Sequence, residues 1–152
     1  LFDGVAAILG IKRRCSYEGQ GAVLLEAAAS ADDGVYNYTL DGAPLRFDWR
    51  DMIRGIVTDM NRGDDVGAIA ARFMNTLIDM ATRQCGAARS ETGLDSVVLS
   101  GGTFQNMYLM RRLPERLREA GFTVYHHSRV STNDEGISLG QLMVAQHQLE
   151  RK

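Results

Sequence analysis

The opening of the chain carries apolar residues at helical spacing, interrupted by glycine. They recur from Phe2 to Leu9 and stop at Gly10, which predicts a short first helix. Residues 20–30, QGAVLLEAAAS, are rich in alanine and leucine and contain no breaker after Gly21. Helix propensity and apolar pattern agree there, so we expect a second helix.

A pattern typical of strands follows these helices. The segments VYNYTL and PLRFDW are rich in β-branched and aromatic residues and are separated by Asp41 and Gly42. An Asp-Gly pair between two such segments favours a tight antiparallel turn. The pattern therefore predicts a β-hairpin over residues 35–47.

The middle of the chain returns to helical spacing. Asp48 is a candidate N-cap for a helix over residues 49–61, and Asp64 or Asp65 is a candidate for a longer helix. The longer segment carries its apolar residues on one helical face, namely Val66, Ile69, Ala70, Phe73, Leu77 and Met80. We expect two helices here.

The last part of the chain alternates strand and helix patterns. A continuous apolar run at residues 97–99 ends at Ser100-Gly101-Gly102 and is followed by a helical pattern over residues 107–120. Residues 122–125 then predict a second strand, and residues 137–149 predict a last helix. This β-α-β-α order is typical of a parallel sheet covered by helices, so we expect an α/β fold.

Composition narrows the class of protein. The chain has 152 residues, of which 45% are apolar, and this is enough for the core of one domain. The formal net charge is -2 and both signs are interspersed, so we expect neither nucleic acid nor a membrane as partner. The two separated cysteines fit a reduced, cytoplasmic protein. Because the chain starts at Leu1 within a helical pattern, we expect it to be a piece of a larger protein.

The Ser100-Gly101-Gly102 turn is the first candidate for binding chemistry. It lies at the carboxyl end of an expected buried strand and just before a helix, where a phosphate can approach backbone amides and an electropositive helix terminus. A tight turn without a ligand is the alternative, because the sequence matches neither the Rossmann nor the Walker motif. Asn106 could offer its amide to a ribose or phosphate, or it could only cap the helix.

Two further polar turns are candidates. In residues 132–136, TNDEG, Asp134 and Glu135 are hard oxygen ligands that could hold a divalent cation at a strand end. Alternatively, Asn133 or Asp134 only caps the last helix. The EGQG turn at residues 18–21 is either a ligand contact or a plain loop.

The three turns occur together and in order, within the segments LFDGVAAILGI, YEGQGAVLLEAAA, VVLSGGTFQNMYLMRRL and NDEGISLGQ. These segments resemble the last part of the HypF carbamoyltransferases and, more distantly, the threonylcarbamoyl transferases of tRNA modification. The resemblance covers nearly the whole chain. It implies the α/β fold of the actin/sugar-kinase/Hsp70 (ASKHA) type, in which two related lobes clasp a nucleotide, and it makes this chain most of the second lobe.

The resemblance also implies roles for single residues. Gly101 and Gly102 match the turn that faces the nucleotide phosphates. Asn106 and Asp3 match contacts to the nucleoside or to a carbamoyl-adenylate. Gly19 matches a further backbone contact. No catalytic nucleophile is identified in this chain, because in the family the attacking thiol comes from a partner protein.

Asp134 matches the family's metal-ligand aspartate, which implies a divalent iron or zinc ion in the complete protein. The family's other metal ligands are two histidines spaced H-x-x-x-H, and this spacing does not occur in the chain. The loop also departs from the family pattern, since Glu135 places a second charge beside Asp134. One carboxylate cannot hold the ion tightly, so we expect the chain alone to be inactive.

The implied reaction defines the expected ligands and partners. In the family, a carbamoyl-adenylate made from carbamoyl phosphate and ATP passes its carbamoyl group to the C-terminal cysteine of HypE, during [NiFe]-hydrogenase maturation. The expected partners are HypE and the missing N-terminal lobe and upstream domains of the same protein. A related O-carbamoyl or tRNA threonylcarbamoyl transferase is one alternative, and a non-catalytic docking lobe is another. The transferase assignment requires the loops near Gly102 and Asp134 to converge.

Overall fold

The computed structural model describes residues 1–42 and 45–150, which form six α-helices and four short strands. In chain order these are α1 Phe2–Ile8, α2 Gln20–Ala28, β1 Thr39–Asp41, β2 Arg46–Asp48, α3 Arg50–Arg62, α4 Val66–Thr92, β3 Ser96–Leu99, α5 Met107–Glu119, β4 Thr123–His126 and α6 Ile137–Glu150. Two 3₁₀ turns, Gly102–Gln105 and Asp134–Gly136, precede α5 and α6. The predicted α/β class is confirmed.

The 27-residue helix α4 lies at the centre of the fold. Asp65 caps it, as one of the two predicted caps, by accepting the Ala68 N–H at 2.9 Å. The helix packs against α2, α3 and α5. Large fully buried side chains come from these helices and from α1: Phe73, Leu25, Met52, Ile56, Ile69, Met74, Leu117 and Val5. Each such side chain contributes roughly 1.5–3 kcal/mol on burial, so the helices around α4 hold the fold together.

The hairpin is shorter than the pattern predicts. β1 and β2 pair antiparallel, with Leu40 opposite Phe47. Residues 43–44 of the predicted hairpin lie outside the described residues. Residues 35–38 belong to neither strand, although the prediction began the hairpin there.

Tyr36 gives the physical reason for this difference. Its N–H donates to the buried Thr76 Oγ1 at 2.9 Å, and its hydroxyl donates to Asp59 Oδ2 at 2.7 Å. Burial, and next the Asp59 carboxylate, raises the pKa of Tyr36, so the hydroxyl remains a donor. Helices α3 and α4 thus satisfy the polar groups of this segment in place of a partner strand.

Asp48 is not the N-cap that the sequence suggested. The cap position of α3 is Trp49, whose own side chain makes no capping hydrogen bond. Asp48 instead accepts the Arg50 N–H at 3.0 Å and pairs with the Arg50 guanidinium. The Arg50 side chain, and next its backbone N–H, lowers the pKa of Asp48 to about 2.

The strands β3 and β4 pair in parallel, as predicted, with Val98 opposite Tyr125. These two side chains point to an open face, since Val98 is 68% and Tyr125 is 56% exposed. None of the residues of α6 is buried. In the described part of the chain, no helix has the length and apolar character that a membrane span needs.

Arg72 of α4 joins carboxylates from three parts of the chain. Its guanidinium lies 3.1 Å from Asp32, 2.8 Å from Asp59 and 3.2 Å from Asp64. Asp59 is only 7% exposed and also pairs with Arg62. The hydrogen bond from Arg72 lowers the pKa of Asp32, and those from Arg62 and then Arg72 lower the pKa of Asp64.

Replacing Arg72 by alanine should lower the free energy of unfolding at pH 7 by about 2–3 kcal/mol, because Asp59 would lose part of the charge that compensates its burial. This cost should shrink in acid. The pKa values of Asp32 and Asp64 lie below the ordinary 3.8. Their ionised forms therefore stabilise the fold above about pH 3.8, and this contribution is lost as the pH falls through the lower folded values. Denaturant unfolding at pH 7 and pH 2.5 measures both effects.

Arg54→Ala is the matched control, because it removes an exposed ion pair with Asp51 on α3. Its cost should stay below about 0.5 kcal/mol. Equal losses in the Arg54 and Arg72 variants at pH 7 would contradict a special role for the Arg72 cluster.

Candidate nucleotide cleft

A cleft of about 270 Å³ lies between α2 and the turn that leads into α5. Three of the residues predicted to contact a nucleotide, Gly19, Gly102 and Asn106, line it together. The full lining comes from α1, from residues 18–26 and from residues 102–106, and comprises Phe2, Glu18, Gly19, Ala22, Val23, Glu26, Gly102, Thr103, Gln105 and Asn106. Segments far apart in sequence thus form one concave surface.

Two glycines give the walls of this cleft their shape. Gly19, at the N-cap of α2, has φ 80°. Gly101 has φ 102° and ψ 163°. Residues with a Cβ rarely adopt either conformation. Gly101 does not line the cleft itself, but its turn places Gly102 in the wall.

Asp3 lies beside the cleft. It is exposed on α1, next to the cleft-lining Phe2. A Cβ at Gly21 would lie 3.2 Å from the Cα of Asp3, so this glycine lets α1 approach the start of α2 closely. The predicted contact of Asp3 with a nucleoside stays a prediction.

Asn106 has the capping role that was one of its two sequence interpretations. Its Oδ1 accepts the Leu109 N–H at 3.0 Å, and the residue is only 9% exposed. Its Nδ2 lies 3.7 Å from the sulfur of Met74, which is a weak acceptor. The side chain is therefore fixed by the fold while it lines the cleft.

The amino terminus of α5 differs from the expectation of an open anion site. The Oε1 atom of Glu26 accepts the Met107 N–H at 2.8 Å and the Tyr108 N–H at 3.1 Å. Sequence reasoning missed Glu26. The available signal was that it is the single charged residue in the helical segment QGAVLLEAA.

The loops that follow β3 and β4 converge, as the transferase assignment requires. The Gly101 N–H donates to the Thr132 carbonyl at 2.8 Å. Ser100 Oγ and His127 Nε2, one from each loop, lie 2.9 Å apart. The Gly102 turn and the loop that carries Asp134 therefore leave the sheet side by side.

Asp134, the predicted metal ligand, lies on the loop between β4 and α6. Asp134 is exposed, and Asn133 accepts the Glu135 N–H at 3.1 Å, which is the local capping that the sequence also allowed. Within residues 1–42 and 45–150, no group of three or more His, Cys, Asp or Glu side chains could hold a metal ion. The described residues therefore do not form a metal site by themselves. The role of Asp134 as one ligand stays a prediction.

The family described as "Carbamoyltransferase, Kae1-like Domain, second subdomain" matches residues 1–141 of the chain. The chain belongs to the HypF carbamoyltransferase family. The HypF carbamoyltransferase of Synechocystis sp. is 33% identical over 147 residues, which cover 94% of this chain and 18% of that protein. A crystal structure of full-length HypF in the phosphate- and nucleotide-bound form matches with a TM-score of 0.91 and 41% identity, covering 98% of this chain and 20% of that one.

The predicted family and its ASKHA-related fold are thereby confirmed. The chain spans only 18–20% of the length of these HypF relatives. A tRNA N6-adenosine threonylcarbamoyltransferase of Syntrophotalea carbinolica is also similar, with 29% identity over 153 residues that cover 91% of this chain and 42% of that protein. The HypF relatives are named carbamoyltransferases, and this chain corresponds to one region of such an enzyme.

Asn106→Ala should destabilise the chain by about 1–2 kcal/mol, because the Leu109 amide loses its cap. Asn106→Asp replaces the amide oxygen by a carboxylate oxygen that can also accept this N–H, so it should recover most of the loss. Denaturant unfolding of both variants measures the difference. An alanine variant as stable as the parent would show that the cap contributes nothing.

Proposed function

We propose that this chain forms part of the carbamoyl-transfer site of a HypF-type carbamoyltransferase. The main support is the cleft in which Gly19, Gly102 and Asn106 meet, within a fold like that of a nucleotide-bound HypF. In the complete protein this cleft would receive a carbamoyl-adenylate, made from carbamoyl phosphate and ATP. The acceptor would be the C-terminal cysteine of HypE, in the cytoplasmic maturation of [NiFe]-hydrogenase.

The charges of the cleft suggest which part of the adenylate it receives. Among the lining residues, Glu18 and Glu26 are acidic and none is Lys or Arg. Carboxylates accept hydrogen bonds from ribose hydroxyls but repel phosphate. The nucleoside therefore fits between α2 and α5, beside Asn106 and near Asp3. The phosphate then lies at the Gly102 side of the Gly101-Gly102 turn, where the backbone permits close approach and which lines the cleft, since the Gly101 N–H already donates to the Thr132 carbonyl.

The transfer reaction requires little of this chain other than positioning of the ligand. The HypE cysteine loses its proton to solvent, and the thiolate sulfur attacks the carbamoyl carbon. A carbon–sulfur bond forms, the bond from that carbon to the phosphate oxygen breaks, and AMP leaves. Because the mixed anhydride is already activated, the protein's task is to hold the adenylate still and to stabilise developing charge. Asp134, on the adjoining loop, would supply one ligand of an iron or zinc site completed by residues from elsewhere in the protein.

The full-length protein that contains this chain provides the test. With carbamoyl phosphate and ATP it should add one carbamoyl group to the C-terminal cysteine of HypE, detected by mass spectrometry. Asp134→Ala should lose both transfer and bound metal, measured by elemental analysis, while the fold stays intact. Glu135→Ala is the matched control, since it removes the neighbouring exposed carboxylate.

Each result points to one interpretation. Transfer at the wild-type rate by the Asp134 variant would remove this residue from the mechanism. Modification of tRNA in place of HypE would favour the threonylcarbamoyl alternative, which the Syntrophotalea carbinolica relative makes the strongest rival. If the protein modifies neither acceptor and binds no ATP, the chain would be assigned as a non-catalytic docking lobe.

We also propose that the preceding lobe of the same protein covers α6 and the open face of the β3–β4 sheet. α6 exposes a series of large apolar side chains, namely Ile137, Leu139, Leu142, Met143, Val144 and Leu149. Large apolar side chains exposed along a whole helix are costly to leave in water. The HypF relatives are about five times longer than the chain, so further protein is available to cover it.

Hydrogen exchange should detect this contact. The amides of α6 should exchange at least tenfold more slowly in the full-length protein than in the 152-residue chain. In the full-length protein, local opening of α6 would expose the surface that the preceding lobe covers, and this makes opening less favourable. The buried central turns of α4 serve as the internal control and should exchange alike in both. Equal exchange of α6 in the two proteins would contradict the proposed contact.

A further inference from the structure

Glu26 is the one charged residue of α2, and it lines the cleft. Its side chain contacts α5 at the Met107 and Tyr108 amides, which lie 81 and 82 residues further along the chain. One oxygen, Oε1, accepts both the Met107 and the Tyr108 N–H groups. The side chain therefore links the two walls of the cleft by two charge-assisted hydrogen bonds.

The amides at the start of α5 are fully accounted for. The Asn106 N–H donates to the Thr103 carbonyl at 3.2 Å, and the Leu109 N–H donates to Asn106 Oδ1 at 3.0 Å. The Met107 and Tyr108 amides between them donate to Glu26. A helix has four such amides without intrahelical partners, and here all four have acceptors.

We propose that Glu26 is a positioning residue that closes the amino terminus of α5 to anions and so assigns phosphate to the Gly101-Gly102 turn. The first amides of a helix are an anion site unless something occupies them. Here a carboxylate occupies two of them and adds a negative charge beside the cleft. A phosphate that approached α5 would have to displace this carboxylate and overcome its repulsion.

This role deepens the proposed carbamoyl-adenylate site and rests on it for its biological meaning. It gives the ligand a direction. A phosphate on the Gly101-Gly102 turn would bring the carbamoyl group toward the loop that carries Asp134, because the Gly101 N–H donates to the Thr132 carbonyl of that loop at 2.8 Å. Glu26 thus acts through the orientation of the ligand and not on the reacting atoms.

The direct experiment follows the Met107 and Tyr108 amides by nuclear magnetic resonance while inorganic phosphate is added to the 152-residue chain at constant ionic strength. In Glu26→Ala the chemical shifts of these two amides should change saturably as phosphate is added. The change should occur at a phosphate concentration roughly three- to tenfold lower than any change in the unmodified chain, because an anion binds at a free helix terminus. Glu26→Thr, which is also too short to reach α5, repeats the test with a second side chain.

Matched variants define the outcomes. Glu26→Gln keeps an oxygen that can accept both N–H groups, so its amides should stay unresponsive. Asn106→Ala frees the Leu109 amide alone and should leave Met107 and Tyr108 unresponsive. Saturable phosphate shifts of Met107 and Tyr108 in the unmodified chain, or none in folded Glu26→Ala and Glu26→Thr, would overturn the proposal.

A second readout uses the full-length protein. In Glu26→Ala, inorganic phosphate should compete with ATP at a concentration at least threefold lower than in the wild type, while Glu26→Gln should behave as the wild type. The two proposals fail separately. If the wild-type protein binds no nucleotide, the transferase assignment fails, yet the phosphate response of the α5 amides still decides the role of Glu26.

Discussion

The first amides of α5 need hydrogen-bond acceptors, and the residues that supply these acceptors also line the cleft. Asn106 satisfies one amide from within the same segment, and Glu26 satisfies two from α2. The second contact fixes the separation of the two helices, because a glutamate side chain has a limited reach. The cleft between them therefore has a defined width, which would lower the entropic cost of binding the proposed adenylate.

The local parts of this arrangement were accessible from the sequence. Asn106 follows a glycine turn and precedes a helical pattern, so capping was one of its two interpretations, and the structure has it. Asp64 or Asp65 was predicted to cap α4 in the same way, and the structure has Asp65. The parallel pairing of β3 and β4 followed from their order along the chain, and with it the meeting of the loops at their carboxyl ends.

Long-range polar contacts could not be predicted in this way. Glu26 lies in a helical segment, and nothing in the spacing of that segment names a partner 81 residues away. Tyr36 carried a strand pattern, yet Thr76 and Asp59, which belong to α4 and α3, satisfy its polar groups. In both cases a tertiary hydrogen bond decided the outcome, whereas the sequence pattern reports only local preference and burial.

The Arg72 cluster and the Glu26 contact involve different elements of the fold and have different consequences. Arg72 and its carboxylates join α3 and α4 to the segment near Asp32, away from the lining of the cleft. Glu26 joins α2 to α5 at the cleft itself. Because the Arg72 cluster lies away from the lining of the cleft, the effect proposed for Glu26 on ligand preference can change without disturbing the charges that hold the fold. Such a separation suits a lobe shared by relatives named for different carbamoyl-type transfers, in which the support is retained while the cleft is adapted.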